Sequence, residues 1–204
     1  MTMSTDAADV PRAPLTPVAA RRMAQIVDAA ARIVAERGAE RLTTAAIAQA
    51  TGLAIGSVYR YFPDRVAILV ELGRRSRERL TRRLDDAFRL GQPTLEQTID
   101  AFVDAVAQHY RAEPGVRSVG LGDRIDLGAD RERCHWSEIA APVVDALVRD
   151  HAVPRPVATV ALETTGPMVD ALVELAFRAS ATAEPTFLQH ARLVARGSIR
   201  RNVG

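Results

Sequence analysis

The chain has 204 residues, 48% hydrophobic and 25% charged, which suits a soluble globular protein of one large or two small domains. No apolar run reaches the roughly 18 residues of a membrane helix, Met1 to Pro17 lacks the apolar stretch of a secretory signal, and one cysteine, Cys134, excludes an internal disulfide, so a reducing, cytoplasmic setting is expected. The net charge of +2 hides an asymmetry: residues 1–90 hold 15 Arg against 10 Asp or Glu, residues 91–204 hold 12 against 15, and a basic first half fits a nucleic-acid reader with a separate second function.

Residues 1–17 read as a flexible arm. Met23, Ile26, Val27, Ala30, Ile33 and Val34 then recur at three and four residues, the apolar stripe of an amphipathic helix that Gly38 stops. Thr43 has N-cap chemistry for a short helix from Thr44 to about Thr51, with Ile47, Ala48 and Ala50 turned inward. Gly52 breaks it. A second short helix runs from about Ile55 to Phe62, and Pro63-Asp64 opens a long one carrying Ile68, Leu69, Leu72, Leu80 and Leu84. Further helical stretches follow over residues 94–112, 115–127, 130–151, 154–180 and 185–201. No two-residue alternation persists, so the expected fold is all-α, with about nine helices.

The informative stretch is Leu42 to Arg65. Val58 and Phe62, four residues apart, share the buried face of the second short helix, while Ser57, Tyr59, Arg60 and Tyr61 occupy its other face. A helix so divided is shaped for a major groove. The Thr43-Thr44 pair, Ile47-Ala48, the turn Gly52, the run Gly56-Ser57-Val58-Tyr59-Arg60-Tyr61-Phe62 and the basic Arg65 resemble the DNA-binding region of the tetracycline-repressor-like (TetR) regulators, and with the preceding helix the resemblance covers about residues 19–70. It implies a three-helix helix-turn-helix domain over residues 18–65 and a helical ligand-binding and dimerisation domain over 66–204. It implies that Thr44, Tyr59, Tyr61 and Arg65 meet phosphates and that Ile55, Gly56 and Ser57 stand at base edges. Two departures stand out. Ala54 lacks the side chain that would cap the recognition helix, and Arg65 replaces the usual lysine, a change that permits a bidentate phosphate contact. Ile55 has two fates open to it, a thymine methyl or burial.

The second half is read less sharply. Residues 157–177 are apolar nearly all round, and such a helix must bury two faces, one in its own core and one against a partner. With residues 186–200 it is the expected homodimer surface, through Val169, Leu172, Val173, Phe187, Ala191 and Val194. A small-molecule effector is expected among Phe102, Val106, His109, Trp136, Ile139, Met168 and Leu172, large side chains on inward stripes, with Arg117, Asp123 and Glu138 as further polar contacts. The arginines from Arg74 to Arg83 read mostly as a solvated face. Cys134-His135 lack spaced metal-binding partners, and the four histidines form no recognisable triad, so neither a metal, a cofactor nor catalysis is expected. The expected function is a repressor released from double-stranded operator DNA by its effector. A helical ligand-binding or interaction protein with a vestigial helix-turn-helix is the alternative, and an enzyme a remote one.

Overall fold

The computed structural model describes residues 16–91, 94–115 and 135–203. They form nine α-helices and no strand: α1 (Pro17–Arg37), α2 (Thr44–Thr51), α3 (Ile55–Tyr61), α4 (Arg65–Phe88), α5 (Leu95–Ala112), α6 (Trp136–Ile139), α7 (Ala141–His151), α8 (Arg155–Ala179) and α9 (Pro185–Val203). The stretch expected over 115–127, and with it Arg117, Asp123 and Cys134, lies outside the described residues apart from Gly115.

The helix ends follow from local chemistry. Thr16 caps α1 by accepting the Ala19 N–H at 3.2 Å, with Pro17 in the first turn, so this helix starts six residues before the first member of its apolar stripe, Met23. Thr43 Oγ1 accepts the Ala46 N–H at 3.0 Å, and Gly52, at φ +69°, ends α2 in the left-handed region that glycine enters without a Cβ clash. Asp64 Oδ1 accepts the Ala67 N–H at 2.8 Å at the start of α4. Ala54 supplies no side-chain cap to α3, as its methyl requires.

The chain divides into two compact units between Arg75 and Ser76. The expected boundary at residue 65 is ten residues short of this, because Ala67, Ile68, Leu69 and Leu72 of α4 are buried with the first unit. That unit packs Ile26, Val34, Leu42, Ile47, Val58 and Phe62, all without solvent exposure. Ala50 is exposed rather than inward, since α2 turns only Ile47 fully into the core.

The second unit is a helical bundle in which α8 and α9 pack most extensively, with α5, α6 and α7 against α8. Its core runs from Leu80 and Leu84 through Phe102, Val106 and Tyr110 to Val169, Val173, Ala195 and Ile199. The segment expected as one helix over 130–151 is broken at Ala140, after which Pro142 sits in the first turn of α7. Glu163 of α8 accepts the N–H groups of Trp136 (3.2 Å) and Ser137 (3.0 Å), capping the one-turn helix α6 from outside. Three arginines of α9 reach three acids of α5 in antiparallel order: Arg192 to Asp104, Arg196 to Asp100 and Arg200 to Glu96.

Candidate nucleic-acid interface and effector site

The turn between α2 and α3 is short, and each helix gives one deep anchor, Ile47 from α2 and Val58 from α3, with Phe62 closing α3. That anchoring leaves the opposite face of α3 outward. Tyr59 is 50% exposed and Ile55 47%, which settles the fate of Ile55 against burial. Gly56 has open space where a Cβ would stand, with no described atom within 4 Å of that point in the first turn of α3. Ser57 is half-buried at the edge of this face, and Arg60 and Arg65 are exposed.

Two contacts organise these side chains that the linear sequence did not disclose. Thr44 Oγ1 hydrogen-bonds Tyr59 Oη at 3.0 Å, so the two residues expected to meet phosphate are joined across α2 and α3. The Arg60 guanidinium lies 5.2 Å from the ring centre of Tyr61 and reaches its hydroxyl at 3.3 Å. Each pair fixes a long side chain in advance, which lowers the entropy lost on docking. Gln25 of α1 donates to the Thr51 carbonyl at 3.0 Å and ties the end of α2 to the scaffold. The assembled face is polar, hydroxyl-rich and cationic, with one exposed branched methyl group, chemistry that matches a phosphate backbone and a thymine-bearing groove.

In the second unit the expected effector residues divide. Phe102, Val106, His109, Trp136 and Ile139 are all buried, and the Phe102 and Trp136 rings meet edge-on with centroids 6.3 Å apart. Gly166 of α8 provides the floor for Trp136: a Cβ there would lie 2.4 Å from the indole. Met168 does not belong with them. It is 42% exposed and lines a surface groove of about 520 Å³ with Thr164, Val194, Gly197, Ser198, Arg201 and Asn202. Glu138 is exposed as well, a turn position on α6 that faces solvent.

The arginine run is less solvated than expected, because several of its members neutralise acids. Glu71 is buried and held by Arg74 and Arg75 at 2.7 and 2.8 Å, and these bonds lower its carboxyl below the usual range against the opposing pull of burial. Arg79 grips Glu113, the residue that caps the end of α5, through two bonds, at 2.5 and 2.7 Å. Ser76 Oγ stands 3.1 Å from the same carboxylate and 2.8 Å from His109 Nε2. His109 is wholly buried. Desolvation, aided by Arg83 and Arg79 and opposed by Glu113, pushes its pKa down to about 4, so the ring is neutral at pH 7.

The expected dimer residues also divide. Val169, Val173 and Ala191 have no exposure, because their faces of α8 and α9 build the unit's own core; they are not available to a partner. Leu172 and Phe187 are half-buried, and Val194 is 36% exposed. The outward apolar stripe consists instead of Val160, Met168 and Leu175 on α8 with Leu193 and Val194 on α9. Apolar periodicity missed it because α8 is apolar on nearly every face. Counting helical phase outward from a side chain of known burial would have found it.

Comparison with known proteins bears on the first unit and on the fold. Residues 26–72 match the family model of bacterial regulatory proteins of the tetR family. The nucleoid occlusion factor SlmA of Actinobacillus pleuropneumoniae is 30% identical over 96 residues, a match that spans 47% of this chain and 47% of the relative. Among solved structures, a TetR-family transcriptional regulator from Streptomyces coelicolor superposes with a TM-score of 0.69 at 24% identity, covering 88% of this chain and 98% of that one. RolR in complex with resorcinol gives a TM-score of 0.61 at 19% identity, covering 91% and 88%.

Proposed function

We propose that this chain, which belongs through residues 26–72 to the tetR family of bacterial regulatory proteins, is a homodimeric repressor that a small molecule releases from its operator. The observation that carries the DNA-binding role is the exposed face of α3, where Ile55, Tyr59 and Arg60 stand outward over a helix anchored by Val58 and Phe62. Thr44, Tyr59, Tyr61 and Arg65 position the phosphates, and Ile55, Gly56 and Ser57 meet the base edges. Two such helices on a two-fold dimer enter successive major grooves when about 34–36 Å apart.

The outward stripe of Val160, Met168, Leu175, Leu193 and Val194 supports a second copy of the chain as partner, since a two-fold contact uses one self-complementary patch. The buried cluster around Phe102, His109 and Trp136 supports an effector site, as does the fold shared with RolR, a protein that binds resorcinol. Helix α4 is continuous from Arg65 to Phe88 and carries residues of both units. An effector that prefers one arrangement of this helix changes operator affinity by linkage, typically about 5–150-fold.

The test is a gel-shift with DNA flanking the chain's own gene. Wild-type protein is expected to retard it, and Arg65→Ala to flatten the log–log salt dependence by about 1.8 for the dimer, roughly 0.9 per phosphate. No retardation at any salt concentration defeats the reading, and an unchanged slope removes Arg65 from the interface.

A further inference from the structure

Helix α3 presents one aliphatic side chain to solvent. Its exposed residues are Ile55, Gly56, Tyr59 and Arg60, while Ser57 and Tyr61 are half-buried and Val58 is buried. Ile55 therefore stands at 47% exposure, at the first position of the helix, on a surface otherwise made of hydroxyls and a guanidinium. It adds little to the interior. Val58 and Phe62, three and seven residues on, anchor the helix without any exposure and leave Ile55 outside the core. Helix propensity does not explain it either, since a β-branched side chain is a weaker helix former than alanine.

The neighbours of Ile55 restrict what meets it. Ala54 before it carries only a methyl group, and Gly56 after it has no described atom within 4 Å of the place a Cβ would take, so both flanks admit a close-approaching surface. Tyr59, four residues on and 50% exposed, has its polar end committed to Thr44 Oγ1 at 3.0 Å. A major groove presents donors and acceptors on every base pair and a single apolar group, the 5-methyl of thymine. Every other edge group loses water against an aliphatic side chain and gains no hydrogen bond from it. The same methyl occurs on 5-methylcytosine, whose edge is otherwise that of cytosine.

We propose that Ile55 is a specificity-determining residue that reads a pyrimidine 5-methyl group, so that each operator half-site carries a thymine against it, and methylation of a cytosine set in that place strengthens binding. The assignment rests on the DNA-binding reading above and gives one position of the operator its chemistry. Recognition there turns on one carbon atom and not on a hydrogen-bond pattern. Burying one methyl group is worth about fourfold in affinity, and about fifteenfold when both half-sites of a dimer gain it.

The probes are duplexes enriched by the full chain from a random-sequence library, resynthesised with uracil in place of one thymine at a time and measured by gel-shift at fixed salt. One thymine in each half-site is expected to lose about fourfold on this change, and the pair about fifteenfold. At that place 5-methylcytosine is expected to bind more tightly than cytosine by the same factor. Ile55→Ala is expected to bind thymine and uracil duplexes alike, and 5-methylcytosine and cytosine alike. Ile55→Leu, which keeps the number of carbons, is expected to keep both preferences. The side chain is exposed, so both variants are expected to melt with the wild type. Uracil without effect at every thymine overturns the proposal, and so does 5-methylcytosine bound no better than cytosine. A methyl preference that survives Ile55→Ala also overturns it and transfers the contact to Tyr59. Enrichment of no sequence defeats the proposal together with the DNA-binding reading, whereas enriched duplexes indifferent to uracil defeat the proposal alone.

Discussion

In residues 16–75 the one buried polar or charged side chain is Glu71, and the side chains proposed to meet DNA are exposed or half-buried. In residues 76–203 six such side chains are buried among the described residues: Ser76, Thr98, His109, Thr165, Asp170 and Glu174. The first unit has an interior that is apolar apart from Glu71. The second places hydrogen-bonding groups inside, at the cost of desolvating each, and joins several of them in pairs such as Tyr110 Oη to Asp170 at 2.6 Å and Thr165 Oγ1 to Ser198 Oγ at 2.8 Å. Polar groups on a surface are stable on any well-packed support, whereas polar groups inside have to be part of the core itself. The two units therefore respond to different perturbations.

The sharpest way to separate them is Phe62→Ala. Removing this fully buried ring is expected to cost about 3–5 kcal/mol, enough to unfold a unit of this size. Operator retardation should disappear while emission from Trp136, which belongs to the other unit, keeps its wavelength. A parallel shift in Trp136 emission would mean that the units fold as one.

Acid is expected to act on the second unit through His109. Its folded pKa of about 4 lies below the ordinary 6.5, so between these values the unfolded chain binds more protons than the folded one and stability falls as pH falls. The contribution is complete above pH 6.5 and gone below pH 4, about 3 kcal/mol in all. Denaturation midpoints across this range should lose that slope in His109→Phe. Equal slopes in the two proteins would show that the buried imidazole is not the group responsible.

Gly166→Ala is expected to destabilise the second unit by about 2 kcal/mol, because the new methyl group must displace the Trp136 ring. Red-shifted Trp136 emission with unaltered DNA retardation is the expected signature. Smallest of the four, Thr43→Ala removes the α2 cap and costs about 1 kcal/mol, seen as roughly fivefold faster amide exchange within α2.

Legibility in the sequence followed the same division. Thr43, Gly52, Val58 and Phe62 mark caps, turn and core within 20 residues of one another, so local rules suffice to place α2, α3 and the outward face of α3. Ser76, His109 and Glu113 are 33 and 37 residues apart, and only tertiary packing brings them together. The apolar circumference of α8 left its phase undetermined, which is why Val169 and Val173 were expected at a partner surface and Met168 inside. Arg79 was expected in solvent because a run of arginines carries no sign of the acid that Glu113 brings from the next helix.

The arginine pairs between α9 and α5 hold the two helices together without stating where. Arg192, Arg196 and Arg200 are spaced by four, and so are Asp104, Asp100 and Glu96. A slide of four residues, about 6 Å, would set Arg196 on Asp104 and Arg200 on Asp100, keeping two rungs of three. Each rung is partly exposed and therefore weak, so charge alone leaves the two registers nearly equal. Size breaks the tie. Ala191, Ala195 and Ile199 are buried at the same spacing, and the slide would force the isoleucine into a space fitted to an alanine and bring the smaller Val203 into the isoleucine's place. The register of the α9–α5 pair thus rests on the difference of three carbon atoms at position 199.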